Sequence, residues 1–418
     1  MYILLAIIGA AIGALVNACI YWLGEIKSPA SPWITAPPKI RRKLVHYLPV
    51  IGWLMRRGES RIVGRAFWIR PLLIELVWII GLPFFYIWIC NDGLTANVPP
   101  PAGWHLVWFV GYTILFTLLF VATFIDFDQR IIPDGITVTG TLIALVIAAA
   151  FPSFRLPKLV AGLAGMTVES VHFADGALRP TWHCGVFGLI IGLVVFVVWI
   201  LALLPKHPLT ELNIRGLKLV FVSTVRLLQS NGLKLRERAR KQGLTLLTIG
   251  LIGSALIAIN WSTLPGSNWT SLFGGIVGMG LGGLSIWLVR IVATHSLGQE
   301  AMGFGDVTLM AMIGAFLGWQ AALITFALSP FAAIAIALIN FLITKDNQLA
   351  FGPYLCLGAM ITIFRWSVIW PKALPQFFAM PFLLMAVLTA SLFLLMIMMV
   401  GVRKIKGLDN ESTEDTSG

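Results

Sequence analysis

Long apolar runs, separated by short polar or basic connections, set the pattern of this chain. The runs fall at roughly 2–23, 67–90, 104–125, 136–151, 183–204, 244–261, 271–293, 307–327, 330–344, 353–370 and 377–401. Most are long enough, at about 1.5 Å rise per residue, to cross a hydrocarbon core of about 30 Å. The pattern predicts an all-α polytopic membrane protein with about 11 transmembrane helices. The first run, YILLAIIGAAIGALVNACIYWL, has no basic residue ahead of it and reads as a retained span rather than a secretory signal. Within 307–344 the Ser329-Pro330 pair predicts either two spans joined by a tight turn or one helix broken at the proline.

Composition supports this class. Of the 418 residues 58% are hydrophobic and 11% charged, with a mean hydropathy of +0.89. A soluble domain carries about 25% charged residues. The net charge of +12 is a matter of topology. With the N-terminus outside and the C-terminus inside, all but five of the 30 lysines and arginines fall on the inner side, Arg290 among them. The five are Arg155, Lys158, Arg179, Arg365 and Lys372. Membrane lipid is therefore an expected partner and nucleic acid is not. The four cysteines, Cys19, Cys90, Cys184 and Cys356, are scattered, which supports neither a disulfide framework nor a zinc site. Residues 91–103 read as a turn-rich outer connection and 205–243 as an inner loop ending in a basic helical stretch, LKLRERARKQG. The acidic tail at 402–418 reads as disordered.

Against this background the acidic residues stand out, because an ionisable group in or at the edge of a span is costly and marks a functional candidate. Glu75 lies within the second run. The third ends in VATFIDFDQRIIPDGITV, which brings Asp126, Asp128 and Asp134 to the inner side. Asp306 follows Gly303 and Gly305 in MGFGDVTLMAMIGAFLGWQ, at the start of another run on the same side. Taken singly, Asp306 is either a helix cap or half of an active site. Asp126 is either an interfacial anchor or the other half. Asp128 and Asp134 suit a solvated turn beside Pro133, and no metal site is expected. Two carboxylates held close share one proton, so one can take a proton from water while the other polarises a peptide carbonyl.

Three of these segments together resemble the type IV prepilin leader peptidase family, which groups with the Gly-x-Gly-Asp intramembrane aspartyl proteases. IDFDQRIIPDGIT is similar to the family's first aspartate motif and MGFGDVTLMAMIGAFLGWQ to its second; FGPYLCLGA (351–359) is similar to its Phe-Gly-Pro turn. The resemblance implies a catalytic pair of Asp126 and Asp306, with Gly303, Gly305, Asp128, Pro133 and Asp134 as motif-supporting positions. It implies an aspartic endopeptidase that cuts the leader from prepilins or type II secretion pseudopilins, in the inner membrane of a bacterium, with the active site facing the cytoplasm. No cofactor is implied for peptidase work, and S-adenosylmethionine is the methyl donor if the new N-terminus is also methylated. Less closely, GALVNACIYWL around Asn17, HYLPVIGWLMRRG, Arg70-Pro71 and Glu75 follow the family's N-terminal outline.

The chain departs from the family in two ways. Its first inner loop has none of the cysteines that hold zinc in many members, and Asp126 and Asp306 are farther apart than usual. The expected organisation is 1–90 as N-terminal span, basic loop and second span, then 104–151 with the first aspartate motif. An insertion follows at 152–243, then 244–401 with the Gly-x-Gly-Asp motif, and the tail at 402–418. Four spans between the aspartates, an even number, leave both on one side. Two other classes fit the same residues: a transporter using its intramembrane acids, and an inactive scaffold of a pilus or secretion machine. The glycines 274, 278 and 282 predict close helix packing.

Overall fold

The computed structural model describes residues 1–24, 44–60, 67–96, 98–162, 165–171, 181–204, 233–297, 302–343 and 351–372. Five helices in it are long and apolar enough to cross a membrane by length and composition. They are α1 (Tyr2–Leu23), α3 (Ile69–Cys90), α4 (Trp104–Gln129) and the apolar parts of α7 (Leu233–Thr263) and α8 (Gly266–Leu297). Further apolar helices accompany them: α5 (Asp134–Ala150), α6 (Val186–Ala202), α9 (Phe304–Leu317), α10 (Trp319–Ile343) and α11 (Gly352–Phe364). A short α2 (Ile51–Met55) precedes α3, and α12 (Trp366–Lys372) follows α11. Seven of the predicted runs, from 2–23 to 271–293, thus coincide with helices of a multi-pass membrane protein, and 307–343 and 353–370 are helical with other breaks. The eleventh, 377–401, and the tail at 402–418 lie outside the described residues.

Three expectations change. The fold is not wholly helical, because β1 (Pro157–Gly162) and β2 (Gly165–Ser170) form an antiparallel hairpin after α5. Val160, Thr167 and Val168 favour the extended chain, and Lys158 pairs across the strands with Glu169 at 3.5 Å. The 353–370 run is two helices, parted at Arg365. The break in 307–344 falls at Gly318 instead of Ser329-Pro330. Gly318 has φ +86°, a conformation that glycine adopts without steric cost. Pro330 lies inside α10, where it deprives the Phe326 carbonyl of its usual N–H donor. The Ser329 hydroxyl donates to that carbonyl at 2.9 Å, so the helix continues.

The chain divides into two compact units, Thr181–Trp269 and Met1–Pro180 with Thr270–Gly418. In the first, α6 packs on α7, with Gly253 beneath the Phe196 ring. The Trp261 indole donates to the Cys184 carbonyl at 3.0 Å and the Trp269 indole to that of His183 at 2.7 Å. Leu251, Ile252, Phe187 and Val198 of this unit are exposed, as suits side chains that meet lipid.

The core of the larger unit lies around α9, buried from Asp306 to Leu317. Lipid tails are as apolar as leucine, so close packing and hydrogen bonds hold such helices together. The glycine run of α8 does this: a Cβ at Gly278 would fall 2.2 Å from the Gly314 carbonyl oxygen, and one at Gly314 2.0 Å from that of Gly278. The far end of α9 is closed by Arg155, 3% exposed. Its guanidinium donates to the carbonyls of Ala315 (2.9 Å), Phe316 (3.1 Å) and Ser271 (2.7 Å). The last carbonyls of a helix lack partners and carry its negative end, so a buried cation fits there. Burial pushes the guanidinium down to about 10, which leaves it charged at neutral pH.

Candidate active site

Asp126 occupies the last turn of α4, which ends where Arg130 takes a left-handed conformation (φ 54°) and its N–H closes onto the Asp126 carbonyl at 2.8 Å. The Asp126 side chain points inward and is 5% exposed. Its Oδ2 accepts a hydrogen bond from the backbone N–H of Gly352, the first residue of α11, at 3.1 Å. A Cβ at Gly352 would lie 2.6 Å from that oxygen, so only glycine admits the contact without a shift.

Asp306 lies in the first turn of α9 and is 8% exposed. The helix is capped at Gly303, with extended backbone, so Asp306 is the third helical residue and not the cap. The positive end of the helix still favours its charge. Its carboxylate accepts no hydrogen bond among the described residues. It lies within electrostatic reach of the Asp126 carboxylate and of the Arg290 guanidinium.

Ile132, in the connection between α4 and α5, explains how the three motif segments meet. A Cβ at Gly305 would fall 2.9 Å from Ile132 Cβ, and one at Gly352 2.9 Å from Ile132 Cδ1. The loop after Asp126, the glycine turn before Asp306 and the Phe351-Gly352-Pro353 turn therefore converge on one side chain. Cys356 of α11 is buried and within electrostatic reach of both aspartates.

Other predicted positions lie apart from this convergence. Asp128 is exposed and ion-paired to Arg70 Nη1 at 2.5 Å, which ties the start of α3 to the end of α4. Pro133 caps α5 in extended conformation, and Asp134 opens that helix at the surface. Gly303 is exposed, whereas Gly305, half-buried, belongs to the convergence on Ile132. Glu75 is 1% exposed and accepts hydrogen bonds from Val50 N (2.5 Å), Trp53 Nε1 (2.8 Å) and Asn17 Nδ2 (3.1 Å). Asn17 also donates to the Pro71 carbonyl at 3.0 Å, so the two side chains knot α1, α2 and α3 together.

Sequence reasoning named the Phe-Gly-Pro turn without giving Gly352 a contact, and it passed over Ile132. The signal for Ile132 was its place between Asp126 and Pro133. Arg290 was counted as an inner-side topology charge without a contact; it lies within α8, with its guanidinium 5.9 Å from the centroid of the Phe304 ring.

Comparison with known proteins gives one consistent result. Residues 244–338, which include Asp306, match the Type IV leader peptidase family. A prepilin leader peptidase/N-methyltransferase of Pectobacterium carotovorum is 36% identical over 95 residues, 22% of this chain and 34% of that protein. The protein of that name from Pseudomonas putida is 32% identical over 98 residues, 23% of this chain and 34% of the relative. The one from Pseudomonas aeruginosa is 31% identical over 137 residues, 28% of this chain and 47% of the relative. The chain thus spans between about a third and a half of the length of these relatives. No solved structure matches it.

Proposed function

We propose that this protein is a membrane aspartyl endopeptidase that removes the leader peptide from prepilins or pseudopilins. The observation that carries the reading is the pairing of Asp126 and Asp306, two buried carboxylates within electrostatic reach of each other. The second lies in the segment similar to leader peptidases. Like charges so placed do not both ionise readily. The ionised member takes a proton from water as the water oxygen attacks the scissile carbonyl carbon, and the protonated member gives its proton to the carbonyl oxygen. On collapse the C–N bond breaks, the leaving amine takes the proton that the first member drew from water, and the second member recovers its own from the hydroxyl as the carbonyl re-forms.

In this reading 104–151 and 244–401 each supply one aspartate, at the cytoplasmic face of a bacterial inner membrane, with the N-terminus outside. Residues 1–90 form an accessory N-terminal region and 152–243 an insertion. The names of the relatives add N-methyl transfer to leader removal, and here that second step would draw on S-adenosylmethionine. The hydrogen bonding of Glu75 weighs against a transporter, because this acid inside a span is already engaged by three donors.

Mass spectrometry of a prepilin-like substrate, co-expressed with the wild-type chain or with Asp306→Asn, tests the reading. The expected result is a leaderless product with wild type only; a methyl group on its N-terminus would report the second activity. Intact precursor with the wild-type chain would favour an inactive scaffold, and equal cleavage by both would remove Asp306 from the chemistry.

A further inference from the structure

The start of α11 has few N–H groups to offer, and each has a defined fate. Phe351 stands at the cap, and Gly352 and Pro353 open the helix. Pro353 has no N–H. Those of Tyr354 and Leu355 close onto the Phe351 carbonyl at 3.1 and 3.4 Å. The Gly352 N–H is left to point out of the helix, and it donates to Asp126 Oδ2 at 3.1 Å. The Asp126 carboxylate, carried on α4, thus caps the positive end of α11. A backbone N–H keeps its hydrogen, so it bonds most strongly to a charged oxygen and favours the ionised form of the acid it meets.

Asp306 lacks such a bond. It lies in the first turn of α9, whose positive end favours its charge, yet its carboxylate accepts no hydrogen bond among the described residues. Gly352 is the donor that separates the two acids.

We propose that the Gly352 N–H divides the labour of the aspartate pair: it holds the negative charge on Asp126, the base, and leaves the shared proton on Asp306, the acid. The inference rests on the peptidase reading and assigns its two roles. With Oδ2 engaged by Gly352, Asp126 Oδ1 takes the proton of water as the water oxygen bonds to the scissile carbon. Asp306 gives its proton to the carbonyl oxygen. When the C–N bond breaks, Asp126 passes its proton to the leaving amine and Asp306 recovers its own from the hydroxyl. Gly352 acts through Asp126 and is a positioning residue.

The other charged and titratable groups leave this bond its deciding role. On α4 Asp128 is tied to Arg70 of α3 at 2.5 Å, and Glu75 of α3 is held by three donors. The α1 helix brings Cys19 and Tyr21, the latter beside Arg70 and Asp128. The α11 helix brings Tyr354 and Cys356, both buried. The α5 helix carries only Asp134, exposed at its start, and α10 carries no titratable residue. On α8 His295 is exposed. Arg290, against the Phe304 ring at 5.9 Å, is within electrostatic reach of Asp306 and gives its carboxylate no hydrogen bond. A charge out of contact acts more weakly than a donor in contact.

The test is the pH–rate profile of prepilin cleavage by the purified full-length chain. Glycolic acid incorporated in place of Gly352 turns the N–H into an ester oxygen and alters no side chain. Without its donor Asp126 is harder to ionise, so the acid limb of the profile should move up by about one pH unit. That is about a ten-fold slower rate on the limb, with the plateau within about two-fold of wild type and the alkaline limb in place. A shift of the alkaline limb alone would put the proton on Asp126 and overturn the assignment. An unchanged profile, or equal loss at every pH, would overturn it too. Should the ester chain not be recovered folded, Gly352→Ala parts the same two groups and should add the acid-limb shift to its overall loss. An overall loss without the shift would count against the proposal. An inactive Asp306→Asn measured alongside leaves the peptidase reading standing in each of these cases, whereas wild-type cleavage by Asp306→Asn would overturn that reading and the inference with it.

Discussion

Glu75 and Asp306 are both buried acids of membrane helices, at 1% and 8% exposure, yet their surroundings treat them differently. Glu75 receives hydrogen bonds from Val50 and Trp53 at α2 and from Asn17 of α1. The Asp306 carboxylate receives none among the described residues and faces a second carboxylate. A buried charge supplied with donors is a structural joint, since its desolvation is offset where it stands. A buried carboxylate with unengaged oxygens beside another acid is poised to exchange protons with something that arrives. Burial alone does not separate these roles; the count of donors does.

The most forceful way to break this contrast is to neutralise each acid without changing its shape. Asp126→Asn or Asp306→Asn should each lower prepilin cleavage by about 10³-fold or more, with the protein still folded in detergent. The readout is conversion of precursor to mature form on a gel. Glu75→Leu should do the reverse. Leaving its donors unpaired should cost about 3 kcal/mol of stability, seen as a lower thermal midpoint, while the folded fraction still cleaves. Loss of cleavage at full stability in Glu75→Leu would erase the distinction.

Gly352→Ala sharpens the comparison on the catalytic side. Its Cβ would sit 2.6 Å from Asp126 Oδ2, so carboxylate and turn must part. About a ten-fold fall in initial cleavage rate is expected, since small misplacements of a reacting group cost that much or more. The smallest effect should come from Asp128→Asn. Its ion pair with Arg70 is 38% exposed on both sides. Such pairs contribute under about 1 kcal/mol, so stability should drop by less than that and cleavage stay within about two-fold.

These expectations also mark what was legible in the chain. The helices show because a span must be apolar for most of its length, a constraint that reads residue by residue. The break at Gly318 was not legible, because Ser329-Pro330 is the stronger local signal. What overrides it is a hydroxyl that takes over the Phe326 carbonyl and an arginine, distant in sequence, that caps α9. The hairpin at 157–170 was absorbed into an insertion, since two six-residue strands are a faint signal beside runs of twenty apolar residues. For the site, Asp126 and Asp306 were readable from their motifs. Their shared contact, Ile132, was not, because a lone isoleucine in a turn looks like any other apolar residue. Arg290 was read for its charge alone: counting charge assigns an arginine to a side of the membrane and says nothing of which way it faces.

The central claim is that Asp126 and Asp306 act as one unit, and a double-mutant cycle on cleavage rate tests it most directly. With Asp126→Asn, Asp306→Asn and the double variant measured on one prepilin substrate, the account predicts that the double variant is no slower than either single one. Each substitution alone already removes the shared proton chemistry. Losses that multiply in the double variant, or a single variant that keeps wild-type rate, would show that the two carboxylates work apart and would contradict the account.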